Sequence, residues 1–299
     1  MKRVLVLGGN GFIGRNLCSY LVSMGEEVYS FDMTIPEKKI TGVNYIEGDF
    51  FDDFTLKNIV DGKDVIYHAI CTMNPGNSND KYILGYERDF IQTIKLCDFI
   101  KESDCRMIFL SSGGTVYGNQ EIQPIKEEAL PSPINHYGNL KLCIENTIKT
   151  FNYQTKKKML IARISNPYGP GQDYNKGVGF VDAAIKRTLH NETIEIWGDG
   201  SVVRDYIYIS DLCVMLYSLM NYEGDISVFN LSSNEGKSQN EVIEALKKIT
   251  PDVKVIYKPK RNVDASKIVL DNSRIMSICD IELKSFNDGL KSYYEYCKA

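Results

Sequence analysis

Two groups of residues in this chain have the types and the spacing to do chemistry. Tyr137 and Lys141 stand four apart, in His136-Tyr137-Gly138-Asn139-Leu140-Lys141. On a helix that spacing puts both side chains on one face. A free phenol ionises near pH ~10, and lowering that by ~3 units needs about 4 kcal/mol of differential interaction. The lysine ammonium and a second positive charge in a partly dry site can supply it. Far upstream, Gly8, Gly11 and Gly14 form Gly-x-x-Gly-x-x-Gly directly after the apolar run 2–7. Glycines there let the backbone come close to a pyrophosphate, and the helix that follows offers free N–H groups and a positive dipole end. Either motif alone is weak. In this order they describe a nicotinamide dinucleotide beside a tyrosine that takes a proton from a hydroxyl while a hydride leaves the same carbon.

Asp32 ends the second apolar run. A carboxylate there accepts from ribose hydroxyls and repels a 2′-phosphate, and Met33-Thr34-Ile35-Pro36 brings in no arginine. The cofactor read from these residues is NAD rather than NADP. Asp49, in Gly48-Asp49-Phe50, either meets the adenine amino group or caps a helix at 53–60.

The elements that must hold these groups alternate. Short apolar runs at 2–7, 27–32, 43–47, 64–70, 106–111 and 159–165 read as buried parallel strands, and helical patterns fall at about 12–24, 53–60, 82–102 and 136–156. The fold class is α/β: a Rossmann-like doubly wound parallel sheet. After 165 the pattern changes to Asn166-Pro167-Tyr168-Gly169-Pro170-Gly171. A helix at about 179–190, strands at 193–197, 206–209, 227–231 and 253–257, and a helix capped by Ser210-Asp211 follow. Residues 1–165 are thus expected to form the dinucleotide-binding domain, with 206–227 returning to it, and 166–299 a smaller α/β substrate lobe.

Bulk properties remove other classes. Lys and Arg number 35 against 39 acidic residues, which leaves no electrostatic footprint for nucleic acid. The compact basic run Lys156-Lys157-Lys158 reads as a helix C-terminal cap. No apolar stretch approaches ~18 residues, so no membrane span is expected. Eight scattered cysteines without Cys-x-x-Cys read as free thiols in a reducing cytoplasm. Three histidines and no His/Cys cluster argue against a metal site.

The ordered motifs carry a resemblance. Gly8-x-x-Gly11-x-x-Gly14, Asp32, Gly48-Asp49, Ser111-Ser112-Gly113-Gly114-Thr115-Val116-Tyr117-Gly118 and Tyr137-x-x-x-Lys141 are followed by Arg163-Ile164-Ser165-Asn166-Pro167-Tyr168-Gly169-Pro170-Gly171-Gln172, Gly198-Asp199-Gly200, Arg204-Asp205, and Arg261 with Asp264. Over nearly its whole length the chain resembles the NAD-dependent epimerase/dehydratase family of extended short-chain dehydrogenases/reductases, most of all its UDP-glucose 4-epimerase-like members. The resemblance implies a cofactor held by Gly8, Gly11, Phe12, Ile13 and Gly14, with Asp32, Asp49 and Phe50 on its adenosine side. Ala69, Ser111, Tyr137 and Lys141 stand on its nicotinamide side. It also implies that Asn166, Arg204 and Arg261 meet a sugar diphosphate, that Asp264 holds a ribose hydroxyl, and that Trp197 and Gly198 border the base. A homodimer through the helices at 82–102 and 136–156 is implied as well; their apolar positions Phe90, Ile94, Leu142 and Ile148 serve equally as core.

Four positions depart from the pattern. Gly113 replaces the Ser or Thr that relays a proton, so either Thr115 takes that part or Tyr137 reaches the sugar hydroxyl directly. Asp89 stands where a cofactor-contacting Asn is usual. Ser165 precedes Asn166 where an aromatic residue is frequent, and Ile70-Cys71-Thr72 replaces a run of small residues. The residues before Val116-Tyr117-Gly118 also choose among reactions. A 4,6-dehydratase needs an Asp-Glu pair there, and a decarboxylase an acidic residue where Thr115 stands. Gly114-Thr115 offers neither, while epimerisation needs one base and one hydride carrier. The expected function is therefore 4-epimerisation of a UDP-sugar through a transient 4-keto sugar. Ile268, of intermediate size, implies tolerance of an N-acetyl group. The alternatives are another nucleotide-sugar oxidoreductase, such as a 4-ketosugar reductase or dehydratase, and a non-catalytic NAD-sensing protein.

Overall fold

Strands with apolar residues on both faces are stable only when helices cover both sides of their sheet. The computed structural model, which describes residues 1–173, 179–259 and 265–299, is built this way. β1 (Arg3–Leu7), α1 (Phe12–Ser23), β2 (Glu27–Asp32), β3 (Val43–Glu47), α2 (Asp53–Val60) and β4 (Val65–His68) come first. Next are α3 (Ser78–Leu84), a π-helical turn (Gly85–Phe90), α4 (Ile91–Ile100), β5 (Arg106–Ser112), α5 (Gly113–Val116), α6 (His136–Thr155) and β6 (Leu160–Ile164). The remainder comprises β7 (Asn166–Tyr168), α7 (Phe180–Leu189), β8 (Thr193–Trp197), β9 (Val203–Tyr208), α8 (Ile209–Met220), β10 (Val228–Leu231), β11 (Gly236–Ser238), α9 (Gln239–Ile249), β12 (Lys254–Lys258), β13 (Lys267–Ile268), α10 (Ser273–Met276) and α11 (Phe286–Lys298).

Seven strands form one parallel sheet in the order β10-β6-β5-β4-β1-β2-β3. The order reverses between β1 and β4, where Leu7 stands opposite His68. A doubly wound sheet opens a crevice at that switch point, beyond the carboxyl ends of its strands. One face packs on α1 and α8 through Leu17, Leu21, Leu212 and Leu216, and the other on α2, α4 and α6 through Leu56, Leu96, Leu140 and Ile148. A third core, of Ile185, Ile196, Tyr206, Leu246 and Leu290, joins α7, α9 and α11 to the small sheets of the C-terminal part.

Several local expectations are corrected. The sheet's edge strand β10 comes from a stretch read as part of the smaller lobe; it pairs with β6 from Val228 opposite Ile161 to Leu231 opposite Ile164. The single helix expected at 82–102 is three pieces, with Lys81 non-helical and the π-turn at Gly85–Phe90. Ser210 and Asp211 do not cap α8: Tyr208 is its N-cap residue, and Asp211 instead accepts from the Lys284 N–H at 2.8 Å. Lys156 does end α6, as a C-cap in the left-handed conformation at φ 58°, although Lys157 reaches away to the Cys105 carbonyl at 2.9 Å. Of the four apolar positions open to a partner subunit, Ile148 is fully buried in this chain's own core. All eight cysteines are free thiols. Among the described residues no helix is long and apolar enough to cross a membrane.

Candidate active site

The glycine loop is fixed by the strand beside it. The Gly8 and Gly9 N–H groups both donate to the Phe31 carbonyl, at 2.9 and 3.2 Å. Gly8 has φ +83°, which favours glycine. A Cβ on Gly14 would lie 2.2 Å from the Gly8 carbonyl oxygen, so the helix can approach the loop only because residue 14 lacks one. α1 has no side-chain cap at Gly11, so its first N–H groups are left for a ligand. Asp32 accepts from the Asn10 N–H at 3.0 Å and the Met33 N–H at 2.9 Å, which sets its carboxylate beside the loop.

The loop opens into a cavity of about 530 Å³ at the switch point. Gly8, Gly11, Phe12, Ile13 and Gly14 line one side, and Ala69, Ser111, Thr115, Tyr137 and Lys141 another. Residues separated by more than 120 positions in the sequence thus share one wall-to-wall space, because β1, β4, β5 and β6 all end there. Tyr137 is aimed by the start of α6: the Asn135 side chain caps it, accepting from the Gly138 N–H at 2.8 Å. Gly138 lets α6 close on α5, since a Cβ there would be 2.3 Å from the Thr115 carbonyl.

Lys141 is buried, donates to the Leu110 carbonyl at 3.0 Å and lies 5.6 Å from the centre of the Tyr137 ring. The Thr115 Oγ1 is buried with no hydrogen-bond partner among the described residues. The expected lowering of the phenol is not a property of the protein alone. Burial first, then the negative character of Cys71 and Asp89, raise Tyr137 above the ordinary tyrosine range. The fit to NAD is good on this geometry: a glycine cradle with an uncapped helix start for the pyrophosphate, a carboxylate beside it for the ribose, and an unpartnered hydroxyl at the far end.

Some assignments change. The Phe50 ring is 2% exposed and packs in the core, 5.1 Å from His68, so it is not a wall of the site. Asp52, not Asp49, caps α2, through the N–H groups of Phe54 and Thr55. Asp49 is half-exposed, accepts from the Phe51 N–H at 2.9 Å and has the Arg88 guanidinium at 3.8 Å.

A second cavity of about 330 Å³ shares Asn166, Pro167 and Arg204 with the first and is bordered by Trp197. Asn166 donates to the Asp205 carbonyl at 3.0 Å, and Arg204 to the Ala265 carbonyl at 2.8 Å. Asp205 anchors this floor. It is fully buried, burial pushes its carboxyl up to about 6, and it accepts from the N–H groups of Ser233, Asn234 and Leu270. Arg261 and Asp264 lie outside the described residues. Ile268 is buried and lines the main cavity. Cys71, Asn74 and Asn79 also line it. The sequence reading did not select them; the signal available was their position just past the carboxyl end of β4.

The absent hydroxyl at 113 has a steric cause. A Cβ on Gly113 would meet a Leu270 methyl at 2.3 Å, and Leu270 is fully buried. Gly113→Ser is expected to overpack this contact, costing about 1–3 kcal/mol. Leu270→Ala in the same chain should recover part of that, so the double variant loses less than the two single losses added. Denaturant midpoints of the four proteins check this; strict additivity would show that the two positions do not compete for space.

Comparison with known proteins agrees with this geometry. A solved UDP-glucose 4-epimerase from Thermotoga maritima, with UDP-glucose, is 30% identical and superposes with a TM-score of 0.92 over 99% of this chain and 98% of its own. The Thermus thermophilus UDP-glucose 4-epimerase in complex with NAD is 25% identical, with a TM-score of 0.89 over 99% of each chain. An Escherichia coli dTDP-4-dehydro-6-deoxyglucose reductase is 29% identical over 92% of this chain and 90% of its own. The model of the NAD dependent epimerase/dehydratase family matches residues 4–232. With the glycine cradle and the tyrosine–lysine pair brought to one cavity and Asp32 beside the cradle, the chain belongs to that family of NAD-dependent enzymes acting on nucleotide sugars.

Proposed function

We propose that the protein interconverts the C4 epimers of a UDP-sugar, UDP-glucose and UDP-galactose or their N-acetyl forms. The observation that carries this reading is the chemistry of the cavity wall. It brings Tyr137, Lys141 and Thr115 together, and no carboxylate lines it among the described residues. Elimination across C5 and C6 needs an acid–base pair, whereas epimerisation needs one base.

In this reading the diphosphate is held by Arg204, with Asn166 beside it, and by Arg261 further along the chain, while Asp264 holds a ribose hydroxyl of the nucleotide. Guanidinium groups suit that task through paired N–H donors. The Gly11–Gly14 turn holds the cofactor pyrophosphate and Asp32 its ribose. Tyr137 takes the proton of the 4-hydroxyl, directly or through the Thr115 hydroxyl, and returns it to the same oxygen once the 4-keto sugar has turned its other face to the cofactor side. Lys141 supports the phenolate by charge. Bound NAD supplies reversible hydride acceptance. Trp197 borders the base, and Ile268 leaves room for an N-acetyl group.

A second reading, reduction of a 4-ketosugar, is favoured by the likeness to the E. coli reductase, since the same tyrosine can donate a proton to a keto oxygen. One experiment separates the two. Small molecules released from the denatured protein are weighed by mass spectrometry, and the native protein is incubated with UDP-glucose and UDP-N-acetylglucosamine. Co-purified NAD with conversion of both to galacto forms is expected. Turnover that requires added NADH or NADPH would replace the epimerase reading with the reductase, and total inactivity on the N-acetyl sugar would remove the tolerance assigned to Ile268.

A further inference from the structure

The second cavity holds a carboxamide that the proposed chemistry does not use. Gln239 is the first residue of α9 and lines this cavity together with Tyr168, Phe180, Trp197 and Tyr206. Its Oε1 is buried and has no hydrogen-bond partner among the described residues. The helix start does not need it. Ser238 is the N-cap residue: its Oγ accepts from the Glu241 N–H at 3.1 Å, and the Ser238 N–H donates to the Glu241 carboxylate at 2.7 Å. The next residue, Asn240, has an amide that is fully engaged. It accepts from the Tyr257 hydroxyl and donates to the Asp199 carbonyl, both at 2.9 Å, which ties α9 to the Gly198-Asp199-Gly200 turn. Gln239 is held instead through its backbone, whose N–H donates to the Val202 carbonyl at 3.2 Å, just before β9. A buried carbonyl oxygen without a donor is costly. A ligand that brings a donor into the cavity removes that cost.

The walls narrow the choice of donor. Four aromatic side chains line the space, and such rings favour a flat heterocycle stacked or set edge-on against them. Arg204 stands at the edge shared with the main cavity, where the proposed reading puts the diphosphate. Phosphate oxygens are acceptors and cannot satisfy Oε1. One ribose beyond the diphosphate comes the base. The imide edge of uracil or thymine presents its N3–H between two carbonyl oxygens. A carboxamide can accept from that N–H and donate to either neighbouring carbonyl, whichever way the amide is turned. We propose that Gln239 is a specificity-determining residue: it reads the N3–H imide edge of a uracil or thymine base seated in the second cavity, and so selects the nucleotide that carries the sugar.

This inference rests on the reading that places the nucleotide here. It does not rest on the reaction at C4, and its test needs no turnover. Calorimetric titration of the purified NAD-loaded protein compares UDP, TDP and N3-methyl-UDP on the parent, on Gln239→Met, which keeps the side-chain length without the amide, and on Gln239→Ala, which also leaves room for the methyl group. The parent is expected to bind UDP about tenfold more tightly than N3-methyl-UDP, because methylation removes the donor and leaves Oε1 unpaired. Both variants should weaken UDP by a similar factor and bring the two ligands to within about twofold of each other. NAD content and the denaturant midpoint should stay where they are. If one variant does not fold, the other must show the same levelling. TDP carries the same imide and should show the same dependence on residue 239, and the tighter of UDP and TDP on the parent names the nucleotide. A preference for UDP over N3-methyl-UDP that survives in the variants, or that the parent lacks, would overturn the inference and leave the epimerase reading standing. TDP bound far more tightly than UDP, with the same dependence, would keep the inference and remove UDP from the proposed function. Binding of neither nucleotide would overturn both.

Discussion

Tyr137→Phe is expected to lower turnover of UDP-glucose by a factor of about 10²–10⁴, the usual worth of a positioned general base. NAD should still co-purify and the KM should change little. The ring packs against the core under the sheet, and phenylalanine keeps that packing. Lys141 keeps its bond to the Leu110 carbonyl, which does not involve the phenol. What is lost is one hydroxyl at the cavity wall. The pH dependence follows with a definite sign. Burial, Cys71 and Asp89 raise Tyr137, and the phenolate is the form that accepts a proton, so kcat/KM of the parent should rise with pH along its acid limb. The phenylalanine variant should lack that limb. Full turnover in the variant, with NAD retained, would remove Tyr137 from the mechanism.

How much of this was legible follows from distance along the chain. The glycine turn and the Tyr137/Lys141 pair were readable because each is local: backbone geometry over a few residues determines where the side chains go. The parallel sheet was readable because strands covered on both faces must be apolar throughout. What was hidden depends on partners far away in sequence. Gly113 looked like a missing hydroxyl; it is a space taken by Leu270. Phe50 looked like a cofactor contact and is core, because its ring meets His68 at the end of β4. Asp52 rather than Asp49 caps α2, a difference of three residues that helix-start signals do not resolve. The π-turn has no motif of its own. Its marks are the buried Gly85, where a Cβ would run into Met73 at 2.3 Å, and the buried Asp89. Neither can be inferred from periodicity.

The largest stability effect is expected away from the reacting groups, at Glu145. Glu145 and Arg163 are 0% and 1% exposed. The Arg163 Nε donates to both carboxylate oxygens, at 3.1 and 3.2 Å, and Nη2 donates to Oε2 at 2.6 Å. Burial alone would drive the guanidinium down, but its bonds and charge attraction to Glu145 prevail and hold it above its ordinary value. The Ser111 hydroxyl donates to the same carboxylate at 2.6 Å, which ties the pair to the cavity wall. On the other side the guanidinium lies over the Tyr117 ring at 4.6 Å, and the Tyr117 hydroxyl donates to Asn230 in β10 at 2.8 Å. Glu145→Ala leaves a buried positive charge with no counter-ion and should cost about 3–5 kcal/mol, a large share of the roughly 5–15 kcal/mol that holds a folded protein together. The double variant Glu145→Leu with Arg163→Met removes the charge along with its partner and should lose clearly less than the single one. Denaturant unfolding of the three proteins decides the matter. If the single variant were no less stable than the double, the pair would not be acting as a buried ion pair, and the orientation of Ser111 at the cofactor cavity would need another source.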